Sequence, residues 1–429
     1  MPKSNLLKAI RNPRQILWTL CIIALIAAVV VKARHLNLEK LKQEVQNELA
    51  KIDHAPELSR LHEIARKRKV VPEDLMALLD KGSGFDRGMK ALAEHQYDKA
   101  ARLLKKHAGM KKSDAAQGWL YLGNALYHKA EYQSAVEAFR KSANINPELF
   151  YAWYNQGIAL NKLGMYEQAI KNYQKAAGLM PNHADVLNNW GVALNNLGRY
   201  DEAIKKYQET VRLCPDHADA RSNWGVALGN LGRYDEAIEK YREAVKLRPD
   251  HANAWSNWGV VLNELGRLEQ AIEKYRKAVE HNPGHAAVWY NWGVVLNTLG
   301  KYEEAGEKYQ KAVRHSHRDA EAWNNWGVAL KNLGRYEQAI EKYQEAVKHN
   351  SGDPDAWNNW GVALNELGKY GEAIEKYKRA VKINPNHANA WTNWGMALKN
   401  LRKYYEEAAV EYQEAVKGEF PIIQSDMHR

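Results

Sequence analysis

Cysteine is nearly absent: 429 residues hold two, Cys21 and Cys214. That excludes a disulfide framework and a cysteine-based zinc site, and leaves the redox compartment open. Catalytic signatures are missing too. There is no His-Glu-x-x-His pair, no phosphate-binding glycine loop ending in Lys-Ser/Thr, and no Gly-x-Ser-x-Gly nucleophile turn. Gly82, Gly84 and Gly88 follow no strand pattern and suit a hinge. The main body also lacks excess charge of either sign. Residues 1–115 carry 23 Lys+Arg against 13 Asp+Glu, whereas the remainder carries 39 against 38, so the overall +11 belongs to the N-terminal quarter. Phosphate binding needs clustered positive charge, so this distribution counts against nucleic acid as a partner of the main body, and no nucleic acid is expected. With 45% apolar residues, the chain is expected to fold around a sizeable core.

One long uncharged run is present. Residues 15–31, QILWTLCIIALIAAVVV, are bracketed by Arg11 and Arg14 before and Lys32 and Arg34 after. As a helix the run spans roughly 25 Å, and snorkelling Arg and Lys extend it toward a bilayer core of about 30 Å. The expectation is a single-pass anchor over 15–33 behind a basic tail, 1–14; a cleaved signal peptide is the alternative. Lys3, Lys8, Arg11 and Arg14 precede the span without an acid, which places the C-terminal part on the non-cytoplasmic side, although Lys32, Arg34, Lys40 and Lys42 nearly balance them. Leu38, Leu41, Val45, Leu49 and Ile52 recur at helical spacing and predict a helical neck over 34–81.

Beyond it lies a strict period. Gly123, Gly157, Gly191, Gly225, Gly259, Gly293, Gly327, Gly361 and Gly395 stand 34 residues apart, and a degenerate unit with Gly88, Tyr97 and Ala100 precedes them. In the unit that begins at Ala320 the order is Trp323, Trp326, Gly327, Leu330, Gly334, Tyr336, Ala339, Tyr343 and Ala346. This resembles the tetratricopeptide repeat, with Trp for its first Leu and Tyr for its Phe. The resemblance implies an all-α, right-handed superhelical solenoid of about ten helix-turn-helix repeats over 82–421, followed by a tail, 422–429. It further implies a scaffold that binds a protein or peptide without catalysis or cofactor. The spacing independently predicts a first helix stopped by Gly334 and its counterparts, and a second with an apolar stripe from Tyr336 to Val347.

Numbering each first helix from 1 and turning 100° per residue separates two arcs. Positions 3, 4, 7, 10, 11 and 14 face neighbouring helices, and fourteen of the fifteen tryptophans occupy positions 4 and 7, so a core role is expected of them. Positions 2, 5, 6, 9, 12 and 13 form the opposite arc, which in the family lines the concave groove. Position 6 is Asn155, Asn189, Asn223, Asn257, Asn291, Asn325, Asn359 and Asn393. Position 9 is apolar: Ile158, Val192, Val226, Val260, Val294, Val328, Val362 and Met396. An asparagine offers both donor and acceptor, matching the peptide group of an extended chain. The pattern resembles the asparagine ladder in the repeat domain of O-linked N-acetylglucosamine transferases, whose catalytic domain has no counterpart here. The basic residues of a chaperone-type carboxylate clamp are replaced by Asn and Val. The alternative is that the amides link adjacent helices and were copied by duplication.

His281, His315 and His349 share position 30 of successive units, too far apart for one metal ion, with His317 near His315. They are expected to be exposed turn residues, and no metal site is expected. Arg402 replaces the stop glycine of the last unit, which gains a residue at Tyr404-Tyr405. No capping helix follows, so self-association through the C-terminal end is expected. Function is accordingly expected to be that of a membrane-anchored scaffold or receptor, with a self-assembling structural protein or a noncatalytic subunit of a transferase or envelope-biosynthesis machine as alternatives.

Overall fold

The computed structural model describes Arg87, Gly88, Ala91, residues 96–108 and residues 112–419. The expected anchor, neck and C-terminal tail lie outside these residues. No helix among the described residues is long and apolar enough to cross a membrane.

Every described element is helical. The chain divides into two compact units, the first ending at Pro215 and the second beginning at Asp216. The first holds α1 (Tyr97–Ala108), α2 (Lys112–His128), α3 (Tyr132–Ile145), α4 (Phe150–Lys162), α5 (Tyr166–Leu179), α6 (Ala184–Asn196) and α7 (Tyr200–Leu213). The second holds α8 (Ala218–Asn230), α9 (Tyr234–Leu247), α10 (Ala252–Glu264), α11 (Leu268–His281), α12 (Ala286–Thr298) and α13 (Tyr302–His315). It continues with α14 (Ala320–Asn332), α15 (Tyr336–His349), α16 (Pro354–Glu366), α17 (Tyr370–Ile383) and α18 (Ala388–Glu419). Successive first and second helices pair as hairpins, each followed by the next hairpin of its unit.

The α14–α15 hairpin shows why the sequence folds this way. Asp319 caps α14 by accepting from the Ala322 N–H at 3.1 Å. At the other end Gly334 takes φ +74°, a left-handed conformation that glycine adopts without steric penalty. Its N–H donates to Lys331 O and that of Arg335 to Leu330 O, both at 2.9 Å, closing the helix with a Schellman motif. Where the helices cross, a Cβ added at Gly327 would lie 2.5 Å from the Tyr343 ring. The glycine therefore makes room for a tyrosine that is fully buried. Its ring, flanked by buried Ala339 and Leu330, carries the largest apolar burial of the hairpin. Tyr173 and Tyr207 do the same in the first unit, and Tyr241, Tyr275, Tyr309 and Tyr377 in the second.

The core thus belongs to tyrosine and alanine, which corrects the expected role of the tryptophans. Trp258, Trp289 and Trp323 are buried, but most others are half-buried and Trp391 is 50% exposed. The second helix explains this. It lays a lysine over the indole, as with Lys342 at 4.7 Å from the centre of Trp326 and Lys376 at 4.0 Å from that of Trp360. Position-4 indoles meanwhile donate to the preceding turn, Trp323 Nε1 to His317 O at 2.8 Å. Stacked in pairs, such as Trp255 on Trp258 with centroids 5.5 Å apart, they clamp the hairpin from outside its core.

The last repeat departs from the rest. Without a stop glycine, α18 runs unbroken through Arg402 for 32 residues. A Cβ at Gly395 would meet nothing within 4 Å, and Met396 and Leu398 are exposed.

Candidate peptide-binding groove

In the first unit Asn155 lies on α4 and Asn189 on α6. In the second, Asn223, Asn257, Asn291, Asn325, Asn359 and Asn393 occupy the same place on α8, α10, α12, α14, α16 and α18. Asn155 is buried and the other seven are half-buried. Three residues further on, Val192, Val226, Val260, Val294, Val328 and Val362 are half-buried, Ile158 is buried and Met396 is exposed. Half-burial is what a groove wall requires, since the side chains pack on one side and stay open on the other. Position 5 departs from expectation: Asn188, Ser222, Ser256, Asn324 and Asn358 are buried. The open arc is narrower because position 5 lies beneath the next repeat's ladder.

That placement gives the asparagines a structural task. Ladder amides reach back 35 residues to position 5 of the preceding repeat where an acceptor stands there. Asn189 Nδ2 donates to Tyr154 Oη at 3.0 Å, Asn325 Nδ2 to Tyr290 Oη at 2.9 Å, Asn359 Nδ2 to Asn324 Oδ1 at 3.2 Å and Asn393 Nδ2 to Asn358 Oδ1 at 3.0 Å. Asn155 instead donates to Asn124 at 2.9 Å. Tyr290 in turn donates to Glu321 at 2.5 Å, and burial together with that carboxylate raises its phenol well above the ordinary range. Among the described residues no such bond reaches back from Asn257 or Asn291, because their predecessors carry Ser222 and Ser256, whose side chains are too short. The ladder therefore combines tied amides, whose carbonyl oxygens keep spare acceptor capacity, with two amides that are untied altogether.

Recesses open at both kinds of site in the second unit. One, of about 320 Å³, is lined by Val226, Gly229, Asn230, Asn257, Val260 and Glu264 among others. Gly229 leaves it room, since the equivalent position of other repeats carries Asn263, Asn297, Lys331 or Asn365. The other, of about 490 Å³, is lined by Asn324, Asn325, Val328 and Asn359, and adds the carboxylates of Glu321, Asp353 and Asp355. Rotation by face singles out the Asn and Val columns but not these acids or Gly229, whose signal is a small residue breaking an otherwise polar column.

Models of the tetratricopeptide repeat match residues 85–149, 223–284, 259–321 and 324–388, with related repeat models on 150–183 and 182–250. The chain belongs to the tetratricopeptide repeat family. Its fold is the interaction-scaffold fold of that family. Similar solved tetratricopeptide structures include YrrB, described as a TPR protein with an unusual peptide-binding site, at 24% identity over 43% of this chain and 96% of YrrB, with TM-score 0.40. The APC/C hetero-tetramer Cut9–Hcn1 is similar at 18% identity over 73% of this chain and 62% of that one, with TM-score 0.47. MamA is similar at 22% identity over 40% of this chain and 94% of its own, with TM-score 0.36. No curated protein matches the chain.

Proposed function

We propose that this tetratricopeptide protein is a noncatalytic scaffold that holds an extended polypeptide against the Asn/Val face of its first helices. The observation that supports this most is the recess at Asn257, where an untied amide, two valine walls and a missing side chain at Gly229 coincide. An amide there can bond a partner's peptide group while Val226 and Val260 take up an apolar side chain. The second recess, ringed by Glu321, Asp353 and Asp355, favours a basic side chain of the same ligand. The apolar run in 15–33 supports attachment to a membrane, the basic tail before it favours the array on the non-cytoplasmic side, and the exposed Tyr404 and Tyr405 on α18 support self-association there.

Replacing Val260 or Val294 with a photo-crosslinking residue in the full chain, in its native membrane, should give a polypeptide adduct. The same residue at Lys240, over the Trp224 ring, should give none. Adducts from Lys240 and none from Val260 would refute the groove. Protease protection of the array in sealed vesicles would contradict the membrane orientation if the array is cut only from the cytoplasmic side.

A further inference from the structure

Folding places together three ligand-type side chains that sequence period keeps apart. His317 sits in the turn between α13 and α14, and Glu345 and His349 lie one turn apart on α15, where i and i+4 share a face. Repeat position aligns His349 with His281 and His315, which stay exposed at the C-terminal ends of α11 and α13. His317, two residues past the periodic place, is the one that meets His349. The two imidazole centroids are 5.1 Å apart. One nitrogen from each, with a Glu345 oxygen, all lie within 4.8 Å of one another.

One of these atoms lacks a partner. His349 Nε2 is buried and makes no hydrogen bond; Glu345 Oε2, at 3.6 Å, is too far. The Glu345 carboxyl is held below the usual range, first by a hydrogen bond from Lys348 and then by the charge of that ammonium. The turn that carries His317 is already fixed, since its carbonyl accepts from Trp323 Nε1.

We propose that His317, Glu345 and His349 bind a divalent transition-metal ion of the zinc class. Two imidazole nitrogens and one carboxylate are borderline ligands suited to such an ion and leave a fourth position for water or a partner's side chain. Tetrahedral coordination at about 2.0–2.1 Å sets ligand atoms roughly 3.3 Å apart. Reaching it needs a side-chain rotation of exposed His317 and release of Glu345 by Lys348, whose side chain is 63% exposed. The bound ion would clamp the turn before α14 to the end of α15 and so brace two adjacent hairpins.

Titrating Zn²⁺ into the metal-free full chain by calorimetry, with Co²⁺ absorption as a second readout, tests this. A saturable site of one ion per chain, with the visible spectrum of low-coordinate cobalt, is expected. His317→Ala and Glu345→Gln should each weaken it at least about tenfold, the scale at which even outer-shell changes act. Lys348→Gln, which removes a competing cation and no ligand, should leave it unchanged or tighter. Matching helix content by circular dichroism shows that the variants stay folded. No saturable binding, or binding equally tight in His317→Ala and Glu345→Gln and so held by others of the 16 histidines, would overturn the proposal.

Discussion

The asparagines of α10 and α12 occupy the same repeat position as those of α14, α16 and α18, yet they are used differently. Asn325, Asn359 and Asn393 spend their donor on the preceding repeat, whereas Asn257 and Asn291 do not. What differs is one residue, 35 positions earlier: Tyr290, Asn324 and Asn358 can accept a bond, and Ser222 and Ser256 fall short. Near-identical repeats thus differ in whether this amide ties the array together or is left untied. A conserved-looking column does not by itself reveal which.

The common frame should not distinguish the two stretches. A Cβ at Gly259 would lie 2.6 Å from Tyr275 and one at Gly327 2.5 Å from Tyr343, so Gly259→Ala and Gly327→Ala should each cost about 1–3 kcal/mol in denaturant unfolding. Gly395→Ala, which meets nothing, should instead stabilise by up to about 1 kcal/mol through helix propensity. Unequal losses at Gly259 and Gly327 would move the difference from ladder to frame.

The ladder should then separate them. Tyr290→Phe deletes the acceptor of Asn325 and the donor to Glu321, and should cost about 1–2 kcal/mol, against about 1 kcal/mol for Asn359→Ala or Asn393→Ala. Asn257→Ala and Asn291→Ala should stay within about 0.5 kcal/mol of the parent. Thermal melts of the five variants check the order.

The smallest expected effect concerns acid. Just before the untied stretch, Asp219 on α8 reaches forward to the turn before α10, with His251 Nε2 3.1 Å and Arg248 Nη2 2.5 Å from its oxygens. His251 first, and then Arg248, holds its carboxyl well below the usual range. A depressed carboxylate contributes stability above its unfolded-state pKa of about 3.9 and loses it as pH falls toward the folded value. Asp219→Asn should therefore lower the melting temperature modestly at neutral pH, and the gap from the parent should close as pH falls below about 4. A gap that stays constant with pH would show that the carboxylate charge contributes nothing.

Much of this was legible in the sequence. The period of 34, Gly334 as a stop and the Asn and Val columns all follow from spacing and residue type, whereas the fit of Tyr343 over Gly327 needed the structure. Rotation by 100° per residue could not say how deep each column lies, so position 5 was assigned to the groove and the tryptophans to the core. Both depend on the next helix: it covers position 5, and it brings Lys342 or Lys376 over the indoles. The meeting of His317 with His349 was equally invisible, because it joins residues out of phase with the repeat.

The most direct test of divided labour compares two double variants of the full chain, Asn257→Ala/Asn291→Ala and Asn359→Ala/Asn393→Ala, for adduct yield from a photo-crosslinker at Val260 and for melting temperature. The first pair should lose most of the adduct at unchanged melting temperature, and the second should melt lower while keeping the adduct. Full adduct yield from the first pair would contradict the account and leave the asparagines with only their role as ties between repeats.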